Sequence, residues 1–312
     1  MNCSTDDNNS KKSNNTTTYS IITTESLTMI NDNDDHDHDN HFIQKSGLLT
    51  INIKRQLWLI PFINGIMIVI ACVIPYIVTV LKGLIYPIWP MVSDAGAILP
   101  AASYFSTFLD IIAALTAFVG IILYKQIHYY RCELNQRLPL GSKHNNDDEY
   151  KNIDHLKLCN RIIIIMTIFM STGLVLTGNF RSTENLTGHM IGVTLFLPSG
   201  LLFGCALIYV YEILYSHGIQ SKPITTTIII MIGIVFTIGC GIFTISSVLK
   251  YGSIWDMWNN ELRLHWKPMM PGYWLHTMGN VCEWIALLSF GPLNIIISRR
   301  FRLFQYWNCI KL

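Results

Sequence analysis

Six stretches of about twenty or more mostly apolar residues, parted by polar segments, limit what this chain can fold into more than any motif in it. They cover residues 57–81, 103–124, 161–180, 189–215, 224–248 and 272–298. At about 1.5 Å per residue, some 20 helical residues cross a hydrocarbon core of about 30 Å. Within lipid, a helix satisfies its own backbone donors and acceptors, which an open strand cannot do. The expected fold class is therefore all-α: a polytopic membrane protein with six transmembrane helices in one bundle. The 312 residues agree with this, being 51% hydrophobic and only 13% charged, where soluble domains carry roughly 25%.

The sixth stretch carries the most information. His276, Asn280, Glu283 and, further on, Asn294 interrupt an otherwise apolar run. At about 100° per residue they fall on one helix face, and such a stripe faces protein or water within a bundle rather than lipid. A charged side chain at mid-bilayer costs roughly 2.5–3.5 kcal/mol on insertion scales, so Glu283 is expected to be protonated, paired or beside water. In the fourth and fifth stretches, Gly200 and Gly204 stand at GxxxG spacing and Gly233, Gly239 and Gly241 follow. Small residues of this kind permit close approach of neighbouring helices.

The basic residues orient the bundle. With six spans both ends lie on one side, and 17 of the 22 Lys and Arg fall on that side, so both termini are expected in the cytosol. A net charge of +2 gives no footprint for nucleic acid, and the expected partner is the lipid bilayer, with protein partners unspecified. Residues 1–53, rich in Asn, Asp, Ser and Thr, read as a disordered polar cytosolic tail, residues 54–301 as the six-span membrane domain and residues 302–312 as a short cytosolic tail. The run Asp35-His36-Asp37-His38-Asp39 lacks the ligand spacing of a defined metal site and reads as solvated tail.

Asp110, His189, His276 and Glu283 all fall in the outer half of the bundle under this topology. Together they form a candidate proton-responsive cluster, because histidine changes charge between about pH 5 and 8. The plainer reading is a set of interhelical hydrogen bonds. Trp255, Trp258, Trp266, Trp274 and Tyr273 crowd the last outer loop, where interfacial anchoring accounts for them. No HExxH and no GxSxG occurs, and the expectation is a protein without catalytic residues, cofactor or metal.

A set of separated motifs adds a family resemblance. Leu264-His265-Trp266, Pro268, Gly272-Tyr273, Leu275-His276 and Glu283-Trp284, with Ser93-Asp94, Gly96 and Pro100 before them, resemble the damage-regulated autophagy modulator (DRAM) family of six-pass membrane proteins. Tyr124-Lys125-Gln126, His128, Asn179-Phe180, His189 and Gly192 agree with it, and the resemblance covers about residues 57–301. It implies a lysosomal or other endomembrane protein that promotes autophagy, without established catalytic activity. Related branches act at the plasma membrane or in glycolipid-anchor maturation. The alternative is accordingly a lipid-handling protein, either remodelling a glycolipid anchor or recruiting a phosphoinositide kinase through Arg299, Arg300 and Arg302.

Overall fold

The computed structural model describes residues 54–137 and 147–310. The tail over residues 1–53, with its Asp-His run, lies outside the described residues. The helices are α1 (Leu59–Leu81), α2 (Val92–Ala95), α3 (Ala101–Arg137), α4 (Asp147–Asn179), α5 (Leu186–Ser216), α6 (Ile224–Tyr251), α7 (Asn260–Leu264) and α8 (Tyr273–Leu303). Short 3-10 turns stand at Ile254–Trp258 and Trp307–Cys309, and no strand occurs among the described residues. Six helices, α1, α3, α4, α5, α6 and α8, are long and apolar enough to cross a membrane. The protein is an all-helical, multi-pass membrane protein.

The long helices pack in a ring in which α8 meets α1, α1 meets α3, α3 meets α4 and α4 meets α5. Helix α6 leans chiefly on α8 and buries only Thr226, Ile230, Gly233, Ser247 and Val248. Its remaining face, including Ile228, Val235, Ile238, Ile242 and Leu249, is exposed, as a helix bordered by lipid requires. The tightest crossing joins α4 to α5. A Cβ on Gly173 would stand 2.5 Å from the Phe196 backbone nitrogen, and one on Gly192 would stand 2.5 Å from that of Thr177. The GxxxG pair works differently: Gly200 and Gly204 leave holes for the Phe290 ring and the Ile230 side chain, not for a neighbouring backbone.

Two helices run well past the apolar stretches that announced them. Helix α3 has 37 residues, about 56 Å, and α4 has 33. The extension of α3 keeps a buried stripe, Ile127, Tyr130 and Leu134, at helical spacing, and α4 answers with Leu156, Cys159 and Asn160. Asn160 Nδ2 donates to the Tyr124 carbonyl at 3.0 Å, so polar side chains continue the pairing beyond the apolar segment. At the same end, Phe304 and Trp307 pack edge-on against each other at 4.7 Å, and Phe304 also meets the Tyr129 and Tyr130 rings. Residues just after α8 are thus folded against α3 and not left free.

The segments joining α1 to α3, α4 to α5 and α6 to α8 gather at the opposite end, called the lid end below. Asn185 caps α5 there, its side chain accepting from the Gly188 backbone N–H at 2.9 Å. Asn185→Ala is expected to cost about 1 kcal/mol, and Asn185→Ser much less, measured as a shift in thermal unfolding of the detergent-purified chain.

Candidate functional site

The polar stripe of α8 is matched by backbone. Asn280 Nδ2 donates to the Trp89 carbonyl at 2.8 Å, Trp284 Nε1 donates to the Pro90 carbonyl at 2.9 Å, and Glu283 Oε2 accepts from the Val92 N–H at 2.8 Å. Three positions on one face of α8 therefore hold the segment that follows α1, and the Glu283 carboxylate sits at the start of the short helix α2. Trp89, at φ 45°, occupies the left-handed region that a bulky residue rarely adopts. The hydrogen bonds to its carbonyl and to the next one fix it there, the over-determination that a strained residue needs.

Helix α2 carries Asp94, 2% exposed, into the junction of all three lid segments. Its Oδ1 accepts from Ser182 Oγ at 2.8 Å and lies 3.3 Å from Arg263 Nη2, with both charged side chains almost fully buried. Arg263 Nη2 also donates to the Ser182 carbonyl at 3.1 Å and to Asn260 Oδ1 at 2.9 Å, while Nη1 donates to the Met257 carbonyl at 3.3 Å. Asn260 Nδ2 in turn donates to the Thr183 carbonyl at 2.7 Å. One buried ion pair thus ties the segment after α1, the segment after α4 and helix α7 together. A buried charge pair is tolerated only with this degree of hydrogen bonding around it.

His276, 6% exposed, stacks on the Trp266 ring at 4.5 Å. Trp266 is 2% exposed and donates from Nε1 to the Pro271 carbonyl at 3.1 Å. This corrects the reading of Trp266 and Tyr273 as interfacial anchors: both are core residues of a small cluster with Val248 and Leu262. Trp255 and Trp274, 74% and 72% exposed, keep the surface position expected of them. Gly272, at φ 78°, opens α8; a Cβ there would stand 2.4 Å from the Ser247 carbonyl, so the turn requires glycine.

His189 binds the end of α4. Its Nδ1–H donates to the Thr177 carbonyl at 3.0 Å and the Phe180 carbonyl at 2.9 Å, which fixes the proton on that nitrogen. Its buried Nε2 has no hydrogen-bond partner among the described residues. Both His189 and His276 lie within electrostatic range of Asp94 and Arg263. Asp110 does not join them: it is exposed on α3, where its Oδ1 accepts from Asn179 Nδ2 at 2.9 Å. His265 is half-buried, 3.5 Å from the Glu261 carboxylate. Gly96 lies under the Phe105 ring, and Pro100 immediately precedes α3.

The structure therefore brings Asp94, His189, His276 and Glu283 to one end of the bundle and adds Arg263, which the sequence presents only as one of several loop cations. Among the described residues, no group of three or more His, Cys, Asp or Glu is placed to hold a metal ion.

Residues 56–303 match the family described as the Frag1/DRAM/Sfk1/Cwh43P N-terminal domain. The chain belongs to this family. Among curated relatives it is similar to the DNA damage-regulated autophagy modulator protein 2 of Homo sapiens, 28% identical over 74% of this chain and 79% of that protein. The protein of that name from Bos taurus is 27% identical over the same shares. The DNA damage-regulated autophagy modulator protein 1 of Xenopus laevis is 22% identical over 73% of this chain and 83% of its own. No solved structure matches the chain significantly. The matched region takes in all six long helices and the lid segments between them.

Proposed function

We propose that this protein is a non-enzymatic modulator of autophagy, working in a lysosomal or other endomembrane with both termini in the cytosol. The observation that carries this reading is the family membership over residues 56–303 together with similarity to a named autophagy modulator over 74% of the chain. The site supports it through what its polar groups already do. Glu283, Asn280 and Trp284 hold backbone of the lid, and Asp94 with Arg263 joins its segments.

The lid also gives the protein a way to respond to acid. His189 keeps its two carbonyl bonds in either protonation state, so added charge acts through the buried Nε2 and through the nearby Asp94–Arg263 pair. His276, stacked on the Trp266 ring and within electrostatic range of the same pair, is the second group in this reading. Recruitment of a phosphoinositide kinase by Arg299, Arg300 and Arg302 has less support, because the Arg300 guanidinium lies 3.7 Å above the Tyr211 ring and bonds Gln220.

Two measurements test the reading together. The tagged protein is expected to coincide with lysosomal markers, and its depletion to lower autophagic flux. Plasma-membrane or reticular signal with unchanged flux overturns it. Substituting both His189 and His276 with Gln is expected to flatten the dependence of flux on lumenal pH; unchanged pH dependence removes the acid response.

A further inference from the structure

Three helices meet through polar side chains well away from the lid, about 16 Å along α8 from Glu283. Asn294 Nδ2 of α8 donates to the Phe290 carbonyl at 2.9 Å, which leaves Asn294 Oδ1 as an acceptor. That oxygen takes a 3.2 Å hydrogen bond from Asn64 Nδ2 of α1, and the same Nδ2 donates to Thr116 Oγ1 of α3 at 3.2 Å. This chain of donors fixes which way the Asn64 amide points. Both of its N–H groups are engaged, while its Oδ1 has no hydrogen-bond partner among the described residues although Asn64 is only 1% exposed. An acceptor buried in that condition is costly to keep.

All three residues line a cavity of about 100 Å³ between α1, α3, α4, α5 and α8. Phe105, Phe196 and Phe290 give it largely apolar walls, and Glu283 borders it toward the lid. A guest that satisfies Asn64 Oδ1 has to be a hydrogen-bond donor, because a carbonyl oxygen only accepts. The volume admits only a small molecule. The lining also favours a neutral one: Glu283 is the sole charged residue in it, and its carboxylate already accepts from the Val92 N–H and from Ser93. Water meets all three conditions, taking about 30 Å³ of liquid volume. It can donate to Asn64 Oδ1 while accepting from the Thr116 hydroxyl, and two polar partners are the fewest that hold a buried water.

We propose that the cavity is an internal water site, with an ordered water molecule donating to Asn64 Oδ1 and held by Thr116. The water is a fourth member of the Asn64, Thr116 and Asn294 junction, completing a polar joint between α1, α3 and α8 inside the membrane. This holds whether or not the protein acts in autophagy.

X-ray radiolytic footprinting of the full chain in detergent tests it, because hydroxyl radicals born from a bound water oxidise the side chains around it. Met170 is the reporter: it is buried, lines the cavity and, with Gly120 of α3 packed on Thr167 of α4, falls near the level of Thr116. Trp266 is the control, equally buried but not among the lining residues. With each rate scaled to that of the unfolded chain, Met170 is expected to be oxidised several times faster than Trp266. Thr116→Val keeps the side-chain shape and removes the hydroxyl, whereas Asn64→Leu removes the acceptor. Either change, in protein that still elutes as a folded species, is expected to bring Met170 down to the rate of Trp266. A native Met170 no more reactive than Trp266 overturns the proposal. So does oxidation of Met170 that persists undiminished in a folded Thr116→Val or Asn64→Leu protein.

Discussion

Asp94→Ala is expected to destabilise the detergent-purified protein by about 3–5 kcal/mol, because it strands the Arg263 guanidinium in a site it shares with almost no solvent. The loss extends past one ion pair. Ser182 Oγ loses its acceptor, and the segment after α1 loses its charged tie to α7, while Arg263 keeps its bond to the Ser182 carbonyl. A paired replacement separates the cost of an orphaned charge from the worth of the pair. Asp94→Leu combined with Arg263→Met removes both charges, and it is expected to be markedly less harmful than either single change, since apolar groups can replace a buried ion pair at little cost. Thermal unfolding of the four proteins of the cycle measures this. A double variant no better than the sum of the singles shows that the two groups do not act as a pair.

The arrangement around Asp94 also explains what the sequence discloses and what it conceals. The six helices are legible because lipid imposes a long apolar run on each, and composition records that run directly. That the stripe on α8 faces protein is legible for the same reason, since Asn280 and Glu283 are costly anywhere else. Their partners are not legible. Asn280, Glu283 and Trp284 bond the backbone at Trp89, Pro90 and Val92, and a carbonyl or an amide hydrogen leaves no mark in the amino-acid sequence. Arg263 was hidden for a related reason: a single arginine in a polar loop reads as a solvated charge, and only the fold brings Asp94 to it from 169 positions earlier. Trp266 carried the opposite ambiguity. Tryptophan near the end of a span serves equally as an interfacial anchor or as core, and the stacking partner that decides between them, His276, lies on the next helix. The ends of α3 and α4 are not legible because hydropathy marks the lipid-crossing part of a helix, whereas Asn160 and Tyr130 continue the packing with polar side chains.

Gly192→Val should prevent accumulation of folded protein, with a cost above about 3 kcal/mol, because the crossing it blocks is made by backbone. A Cβ at Gly192 would stand 2.5 Å from the Thr177 nitrogen and 2.9 Å from the Gly173 carbonyl, and neither atom can turn aside as a side-chain tip does. Helices α4 and α5 would have to separate, and the consequences reach the lid end. His189 lies one turn before Gly192 on α5 and bonds the Thr177 and Phe180 carbonyls of the end of α4, so a wider crossing pulls the imidazole from both acceptors. The control is Gly241→Val on α6, where an added Cβ meets nothing within 4 Å; there the effect should stay within about 0.5 kcal/mol. Size-exclusion profiles of fluorescently tagged variants, followed by thermal unfolding of any folded fraction, make the comparison. If Gly192→Val yields as much folded protein as Gly241→Val, then α4 and α5 are not held at this separation. The lid geometry that places His189 near Asp94 and Arg263 would then lose its mechanical basis.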